Sequence, residues 1–300
     1  MQVQLGINNC FAVKRWPRPD EWSQIIADEL GLALVQHSLD LSAEAAPVDD
    51  EAWTIRHACD RAGLGIDSVF TGLRAYSMNL LLDSEPIARD QAEGYWRWAI
   101  ELAAALGAGA VGGHVGSLSR HDAEDPGRRR ALWEELQQRL RRLSELAHGR
   151  GVGALLVENM ACDREPCRMS EVSALLRPGD GEHAAVALCL DVGHQCAPGV
   201  SGPDGDPYAW LRAMGTQTAV VHLQQSDATG DHHWPFTREY NARGRIGGAQ
   251  VLEALAAGGV ASMTLMLEVI PPFEARDARV LAELGESVAY WKDVLHDHPR

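Results

Sequence analysis

Acidic and imidazole side chains follow several apolar runs of this sequence. One run, Ala-Val-Ala-Leu-Cys-Leu, ends in Asp191-Val-Gly-His194. Four others end in His114, Glu158, His222 and Glu268. Mixed carboxylate and imidazole groups bind divalent cations and transfer protons. An Asp-x-x-His motif alone is more often a turn with a hydrogen-bonded histidine, so the elements that carry these residues decide their meaning.

Those elements alternate between short β-like runs and longer segments of helical period, which predicts βαβ units around a parallel sheet. Eight strands are predicted, at 2–10, 32–39, 66–73, 108–114, 154–158, 186–191, 218–223 and 263–269, with eight helices between and after them. Residues 116–127 and 224–246 are predicted as loops. An α/β barrel needs about 250 residues. The 300 residues therefore predict one (β/α)8 TIM barrel, a single domain over 1–300.

The polar residues follow strands four to eight, and the carboxyl ends of barrel strands share one face. Several carboxylates and imidazoles at one point would repel each other or remain unsatisfied without a cation. The sequence therefore predicts a site for one divalent cation, with Mn²⁺, Co²⁺ or Mg²⁺ preferred and Zn²⁺ also acceptable. Neither a phosphate-binding glycine loop nor a dinucleotide fingerprint occurs, so no organic cofactor is expected.

Composition restricts the partners. The formal net charge of -15 disfavours binding to nucleic acid, which depends on Lys and Arg against phosphates. No apolar run approaches the roughly 20 residues of a membrane span, and the chain starts in a strand-like run without a basic leader. The six cysteines are too sparse for a disulfide framework. We expect a cytoplasmic enzyme that acts on small molecules. A homo-oligomer, either a dimer or a tetramer, is possible.

The order Glu, Asp, His, Glu on strands five to eight resembles the sugar isomerase/epimerase superfamily with the xylose-isomerase-like barrel. It is closest to the ketose 3-epimerase branch, which includes tagatose and psicose epimerases. The motifs are Val157-Glu158-Asn159, Leu190-Asp191-Val-Gly-His194, Val221-His222 and Leu267-Glu268. The stretch 233–241 is also similar to tetrulose-phosphate epimerases.

This resemblance implies metal ligands at Glu158, Asp191, His222 and Glu268. It also implies that Glu158 and Glu268 are the acid/base pair, removing and returning a C3 proton on opposite faces of a cis-enediolate. The substrate is then a ketose or a ketose phosphate.

Residues expected to contact the substrate lie at the same end of the barrel. The resemblance gives this role to His194. Hexulose epimerases carry an arginine shortly after the histidine of strand seven, whereas this chain has Gln224-Gln225-Ser226-Asp227, so the oxygens bound by that arginine are handled differently. The further candidates are His114 at the end of strand four, Gln224 and Arg245 in place of the arginine, Lys14 and Arg245 as phosphate anchors, and Trp16 and Trp234 as walls against water.

Four other functions remain open at this stage. An aldose–ketose isomerase uses the same enediolate chemistry one carbon away, and a sugar dehydratase also begins by removing a proton beside a carbonyl. An endonuclease specific for abasic sites shares much of this rim, and Asp231 and His233 could complete its three-zinc ligand set. However, the third strand ends in Phe70-Thr71-Gly72, where that family has a histidine. A non-catalytic barrel is the fourth alternative.

Overall fold

Eight parallel strands close into a barrel in which each strand pairs with its sequence neighbours and the first pairs with the last. The computed structural model describes residues 1–44 and 46–298. The strands are β1 (Gln2–Asn8), β2 (Leu34–Ser38), β3 (Gly65–Phe70), β4 (Ala110–Gly113), β5 (Ala154–Glu158), β6 (Ala185–Asp191), β7 (Thr218–Leu223) and β8 (Ser262–Leu267). The predicted (β/α)8 barrel and its eight strands are confirmed, although β1 to β4 end one to three residues earlier than predicted and β8 ends two residues earlier.

Ten helices of the described chain accompany the barrel: α1 (Pro19–Gln24), α2 (Val48–Ala62), α3 (Pro86–Leu106), α4 (Arg120–Glu124), α5 (Pro126–Gly149), α6 (Met169–Leu175), α7 (Pro207–Met214), α8 (Arg238–Asn241), α9 (Gly248–Ala257) and α10 (Asp277–Asp297). A π-helical turn, Ile25–Glu29, continues α1. The short helices α4 and α8 lie in segments predicted as loops. Ser119 and Thr237 cap them by accepting hydrogen bonds from the backbone N–H of the third residue on, which is a signal for a helix start.

The alternation of side chains along the strands explains why the polar residues face the barrel axis. Leu156, Cys189, Val220 and Met266 form a separate buried cluster with Ala110, apart from the core between the strands and the helices. Each of these four stands two positions before Glu158, Asp191, His222 or Glu268. Side chains two apart on a strand share a face. The apolar layer therefore lies beneath a polar layer at the carboxyl ends of the strands.

Strand β4 reaches this layer through glycines. A Cβ atom at Gly112 would lie 2.0 Å from the carbonyl oxygen of Leu156 on β5. Glycine in a strand interior often marks such a close backbone approach. This approach brings His114, which follows β4, beside the residues that end β5.

The helices of the described residues do not reach the length and apolarity needed to cross a membrane.

Candidate metal centre

Glu158, Asp191, His222 and Glu268 converge at the carboxyl ends of β5 to β8. One ligand atom of each lies within 4.8 Å of the corresponding atoms of the other three, and all four residues are fully buried. His222 Nδ1 lies between the two glutamates, 3.3 Å from Glu158 Oε1 and 2.9 Å from Glu268 Oε2. The structure thus brings together all four predicted metal ligands.

Each of these residues directs one buried atom at the others without a hydrogen-bond partner in the described chain. The atoms are Glu158 Oε1, Asp191 Oδ2, His222 Nδ1 and Glu268 Oε2. Buried polar atoms are otherwise paired in folded proteins, so a convergent set of four needs an explanation. Three oxygens and one imidazole nitrogen form a donor set suited to Mn²⁺, Co²⁺, Mg²⁺ or Zn²⁺. The residues present therefore fit a divalent cation.

Polar residues inside the barrel fix the tautomer of His222. Its Nε2 lies 2.7 Å from Gln36 Oε1, which also accepts a hydrogen bond from Asn8 Nδ2 at 2.8 Å. The amide nitrogen of Gln36 donates to Ser68 Oγ at 3.0 Å, which sets the orientation of the amide. Because Gln36 Oε1 can only accept, His222 Nε2 carries a hydrogen and Nδ1 of the neutral ring has a free lone pair. This is the arrangement of a metal-binding histidine whose other nitrogen is held by a second residue.

The two oxygens of Asp191 have different surroundings. Its Oδ1 accepts hydrogen bonds from the backbone N–H of Gly193 at 2.7 Å and of His194 at 3.0 Å, and from Gln224 Nε2 at 3.1 Å. These contacts form the turn that follows β6 and leave Oδ2 directed at the cluster. The Asp-x-x-His motif therefore forms a turn and leaves one carboxylate oxygen for the cluster.

Burial dominates the electrostatics of this cluster. It raises the pKa of Glu158 and of Asp191 above their usual range. Burial acts on Glu268 in the same direction, but His222, whose ring is protonated while no cation occupies Nδ1, outweighs it through its positive charge, and the pKa of Glu268 is lowered. Carboxyl groups packed this closely resist simultaneous ionisation unless positive charge lies among them.

A second group of donors adjoins the first through Asp191. Asp191, His194 and His233 each offer a ligand atom within 4.8 Å of the other two. Asp231 Oδ2 lies 3.3 Å from His194 Nε2 and 3.2 Å from His233 Nε2. Backbone carbonyl oxygens lie near the other ring nitrogens, that of Asn159 at 2.6 Å from His194 and that of Glu268 at 3.3 Å from His233. These residues belong to the set considered for an endonuclease, and β3 ends in the described chain without a histidine.

His114 faces the same space as a neutral ring. Neither of its ring nitrogens has a hydrogen-bond partner in the described chain, and burial lowers its pKa to about 4. Its ring stacks on Tyr76 with centroids 5.5 Å apart. The Tyr76 hydroxyl donates a hydrogen bond to Glu158 Oε2 at 2.8 Å, and its ring meets His194 edge-on at 6.3 Å. A histidine with both nitrogens free is suited to bind hydroxyl groups of a substrate.

Gln224 makes four hydrogen bonds within the protein. Its Nε2 donates to Asp191 Oδ1 and, at 2.7 Å, to Asp231 Oδ1. Its Oε1 accepts from Ser226 Oγ at 2.6 Å and from the backbone N–H of His233 at 2.7 Å. An amide has two N–H donors and two lone pairs, so the protein uses every position. Gln224 holds the two carboxylates in place, and its contact with substrate stays a prediction.

The other predicted substrate residues lie further out. The Lys14 ammonium is 4.0 Å from the centre of the Phe273 ring, and Arg245 is exposed, with its backbone N–H bonded to the carbonyl of Ser226. Trp16 is half-buried beside Phe11.

Trp234 lies between His232 and Tyr240, with ring centroids 3.9 and 5.0 Å away. Trp234 belongs to the segment that also carries Asp231 and His233. Its backbone N–H and C=O pair with those of Gln225, which holds this segment against the end of β7.

Several residues of this site were not predicted. Tyr76 lies in the long segment after β3, where no periodicity indicates which side chain turns inward. Gln36 and Asn8 had only a weak signal, since each follows an apolar residue near the carboxyl end of a strand that also contains other polar residues. Glu165, in the segment after β5, is half-buried, and burial raises its pKa to about 7.

Comparisons with known proteins agree with this geometry. A family described as xylose isomerase-like TIM barrel matches residues 25–284. D-erythrulose 1-phosphate 3-epimerase of Brucella abortus (strain 2308) is 26% identical over 298 residues, 97% of this chain and 96% of the relative.

Two solved structures have the same fold. A Rhodospirillum rubrum protein provisionally named a xylose isomerase has a TM-score of 0.88 and 31% identity, over 97% of this chain and 99% of that one. D-psicose 3-epimerase of Clostridium cellulolyticum H10 has a TM-score of 0.70 and 15% identity over the same shares. The matched region spans most of the barrel, and the chain belongs to the xylose isomerase-like TIM barrel family.

Proposed function

We propose that this protein is a metal-dependent 3-epimerase of a ketose phosphate. The observation that carries the proposal is the placement of Glu158 and Glu268 on non-adjacent strands, on either side of His222 Nδ1. Epimerisation requires two proton-transfer groups on opposite faces of one carbon, and this arrangement supports the assignment of Glu158 and Glu268 as that pair. The name of the Brucella abortus relative supports an isomerase-class enzyme and a ketose phosphate as substrate.

The cluster of Glu158, Asp191, His222 and Glu268 would hold the cation. A divalent cation bound there supplies positive charge beside neighbouring oxygens of the ketose, which lowers the cost of enolate formation. Mn²⁺, Co²⁺ and Mg²⁺ are the first candidates, and Zn²⁺ is compatible with the same donors.

The protein residues perform the proton transfers. One glutamate removes the hydrogen of C3 as a proton, and the electron pair of the broken C–H bond enters the enediolate. The other glutamate delivers a proton to the opposite face of the planar carbon, which inverts the centre. His114 and His194 are placed to bind hydroxyl groups. We assign the phosphate to Arg245 or Lys14, and Trp16 and Trp234 to the exclusion of water, which protects an enediolate from side reactions.

Deuterium incorporation tests this proposal. The protein loaded with Mn²⁺ is incubated with D-erythrulose 1-phosphate in deuterated water and followed by NMR. Deuterium at C3 together with the L epimer supports the epimerase. With ketoses whose C1 hydroxyl is free, deuterium at C1 would indicate an aldose–ketose isomerase, and loss of water from any of the substrates would indicate a dehydratase. No exchange in this compound or in other ketoses and ketose phosphates would refute the proposal.

Substitutions of the two glutamates make the test specific. Glu158→Gln and Glu268→Gln each remove one proton carrier, and we expect each to lower kcat by about a hundredfold to ten-thousandfold. Glu253→Gln is the matched control, because Glu253 is exposed on α9, away from the cluster. A Glu268→Gln variant as active as this control would contradict the assignment of the pair.

A further inference from the structure

The contact between Tyr76 and Glu158 gives the two oxygens of this glutamate separate surroundings. Oε2 accepts the hydrogen bond of the phenol at 2.8 Å, whereas Oε1 lies 3.3 Å from His222 Nδ1 within the metal-ligand cluster. A carboxylate that uses Oε1 in the cluster has only Oε2 left to take up a proton. Tyr76 therefore touches the oxygen that is available for proton transfer.

The segment around Tyr76 is held in place by contacts of its own. The carboxylate of Asp40 accepts hydrogen bonds from the backbone N–H of Leu73 and, at 3.1 Å, of Arg74. The Tyr76 ring stacks on His114 and approaches Phe70 at 6.4 Å. The hydroxyl is thus presented by an anchored backbone and a packed ring, which favours a fixed hydrogen-bond direction.

Glu268 has different neighbours in the described chain, among them His233, whose Nδ1 lies 3.5 Å from Oε2. Its Oε1 accepts a hydrogen bond from Asn8 Nδ2 at 3.3 Å, and Asn8 belongs to the interior of the barrel. Its Oε2 lies 2.9 Å from His222 Nδ1. The two glutamates of the proposed pair are therefore supported differently, one by a phenol from the segment after β3 and the other by an amide on β1.

We propose that Tyr76 is a positioning residue for Glu158 alone, holding Oε2 in the direction required for proton transfer at one face of C3. This inference rests on the proposed 3-epimerase function. When Glu158 removes the C3 proton, the phenol donates to Oε2 beforehand and, because a hydroxyl also has lone pairs, can accept from the protonated carboxyl afterwards. Proton transfer at the other face, through Glu268, does not involve Tyr76.

Tyr76→Phe removes the hydroxyl and keeps the ring that stacks on His114. Loss of a hydrogen bond to a charged group changes an equilibrium or a rate by about tenfold to a hundredfold. We expect kcat to fall by that factor and KM to change less than about threefold, because the hydroxyl is occupied by Glu158 and not by the substrate. Tyr95→Phe is the matched control, since the Tyr95 hydroxyl donates to the backbone carbonyl of Thr71 at 2.8 Å and not to the cluster.

Primary deuterium isotope effects distinguish positioning of one glutamate from a general loosening of the site. They are measured on kcat/KM with D- and L-erythrulose 1-phosphate, each deuterated at C3. In Tyr76→Phe the isotope effect should rise for the epimer whose proton Glu158 removes, because that step becomes slower. It should fall for the other epimer, because its C–H bond is broken at Glu268 and the slow step now follows.

Changes in the same direction for both epimers, or values equal to those of Tyr95→Phe, would overturn the inference. A second readout uses no activity: the increase in Tm on adding Mn²⁺ should be the same in Tyr76→Phe and the wild type, since Oε1 stays in the cluster. A lost increase would mean that Tyr76 acts on cation binding instead. A wild type that exchanges no C3 hydrogen would refute the proposed function itself, whereas an active wild type with an unaffected Tyr76→Phe refutes only the role of Tyr76.

Discussion

Asp191→Asn separates the structural role of Asp191 from its role as a ligand. Oδ1 already has three donors, the N–H groups of Gly193 and His194 and Gln224 Nε2, and the carbonyl oxygen of an asparagine amide can accept the same bonds. Oδ2 is buried and unpaired. Replacing it by an amide nitrogen removes a charge and supplies donors to the neighbouring carboxylates. We therefore expect the variant to fold and to lose the cation.

The variant should have the higher free energy of unfolding without metal and should lose most or all of this advantage when metal is added. An unpaired buried polar group costs about 1–3 kcal/mol, so the metal-free variant should be more stable than the metal-free wild type by about that amount. For 300 residues this corresponds to about 2–5 °C in Tm. A metal concentration a hundred times Kd should raise the free energy of unfolding of the wild type by about 2.7 kcal/mol and its Tm by about 4 °C. The variant should not show this gain.

The assay is thermal unfolding of chelator-treated protein, repeated with Mn²⁺, Co²⁺, Mg²⁺ and Zn²⁺. Asp125→Asn is the control, because Asp125 caps the start of α5 and asparagine is an equally good cap. An Asp191→Asn protein that keeps the wild-type increase in Tm with metal would refute the assignment of Asp191 as a ligand. A wild type stabilised by none of the four ions would refute the metal centre as a whole.

Two further predictions concern stability. Burial lowers the pKa of His37 to about 4, whereas the pKa in the unfolded chain is about 6.5. Between these two pH values the unfolded chain binds a proton that the folded state does not, so the free energy of unfolding falls by about 3 kcal/mol as pH falls from about 6.5 to about 4. Urea unfolding at pH 6.5 and 4.5 should show a smaller loss for His37→Gln, and an unchanged pH dependence would contradict this. Gly112→Ala should lower the free energy of unfolding by more than about 3 kcal/mol, because its Cβ would meet the carbonyl oxygen of Leu156 on a neighbouring strand; a Tm close to that of the wild type would show that the strands can move apart.

The barrel and its polar layer could be predicted because each ligand follows a buried strand, whose alternation fixes the direction of its side chain. Glu158 and Glu268 belong to this class. Tyr76 could not be predicted in this way, because the conformation of the segment after β3 depends on hydrogen bonds to Asp40, which is far away in sequence. No local sequence pattern indicates that contact. The short helices α4 and α8 were missed for a different reason: their capping residues are visible in the sequence, but helices of four or five residues carry no apolar periodicity.

Gly193 and Gln224 show how the turn after β6 and the residue after β7 depend on each other. The backbone of Gly193 has φ -87°, which any residue can adopt, so conformational freedom does not explain this glycine. Space does, because a Cβ there would lie 2.3 Å from Cδ of Gln224. A side chain at this position would displace Gln224 from Asp191 and Asp231 and so disconnect the two groups of donors. The glycine of the Asp-Val-Gly-His sequence is therefore required by the residue that follows β7, because only a glycine leaves room for Gln224 between the two carboxylates.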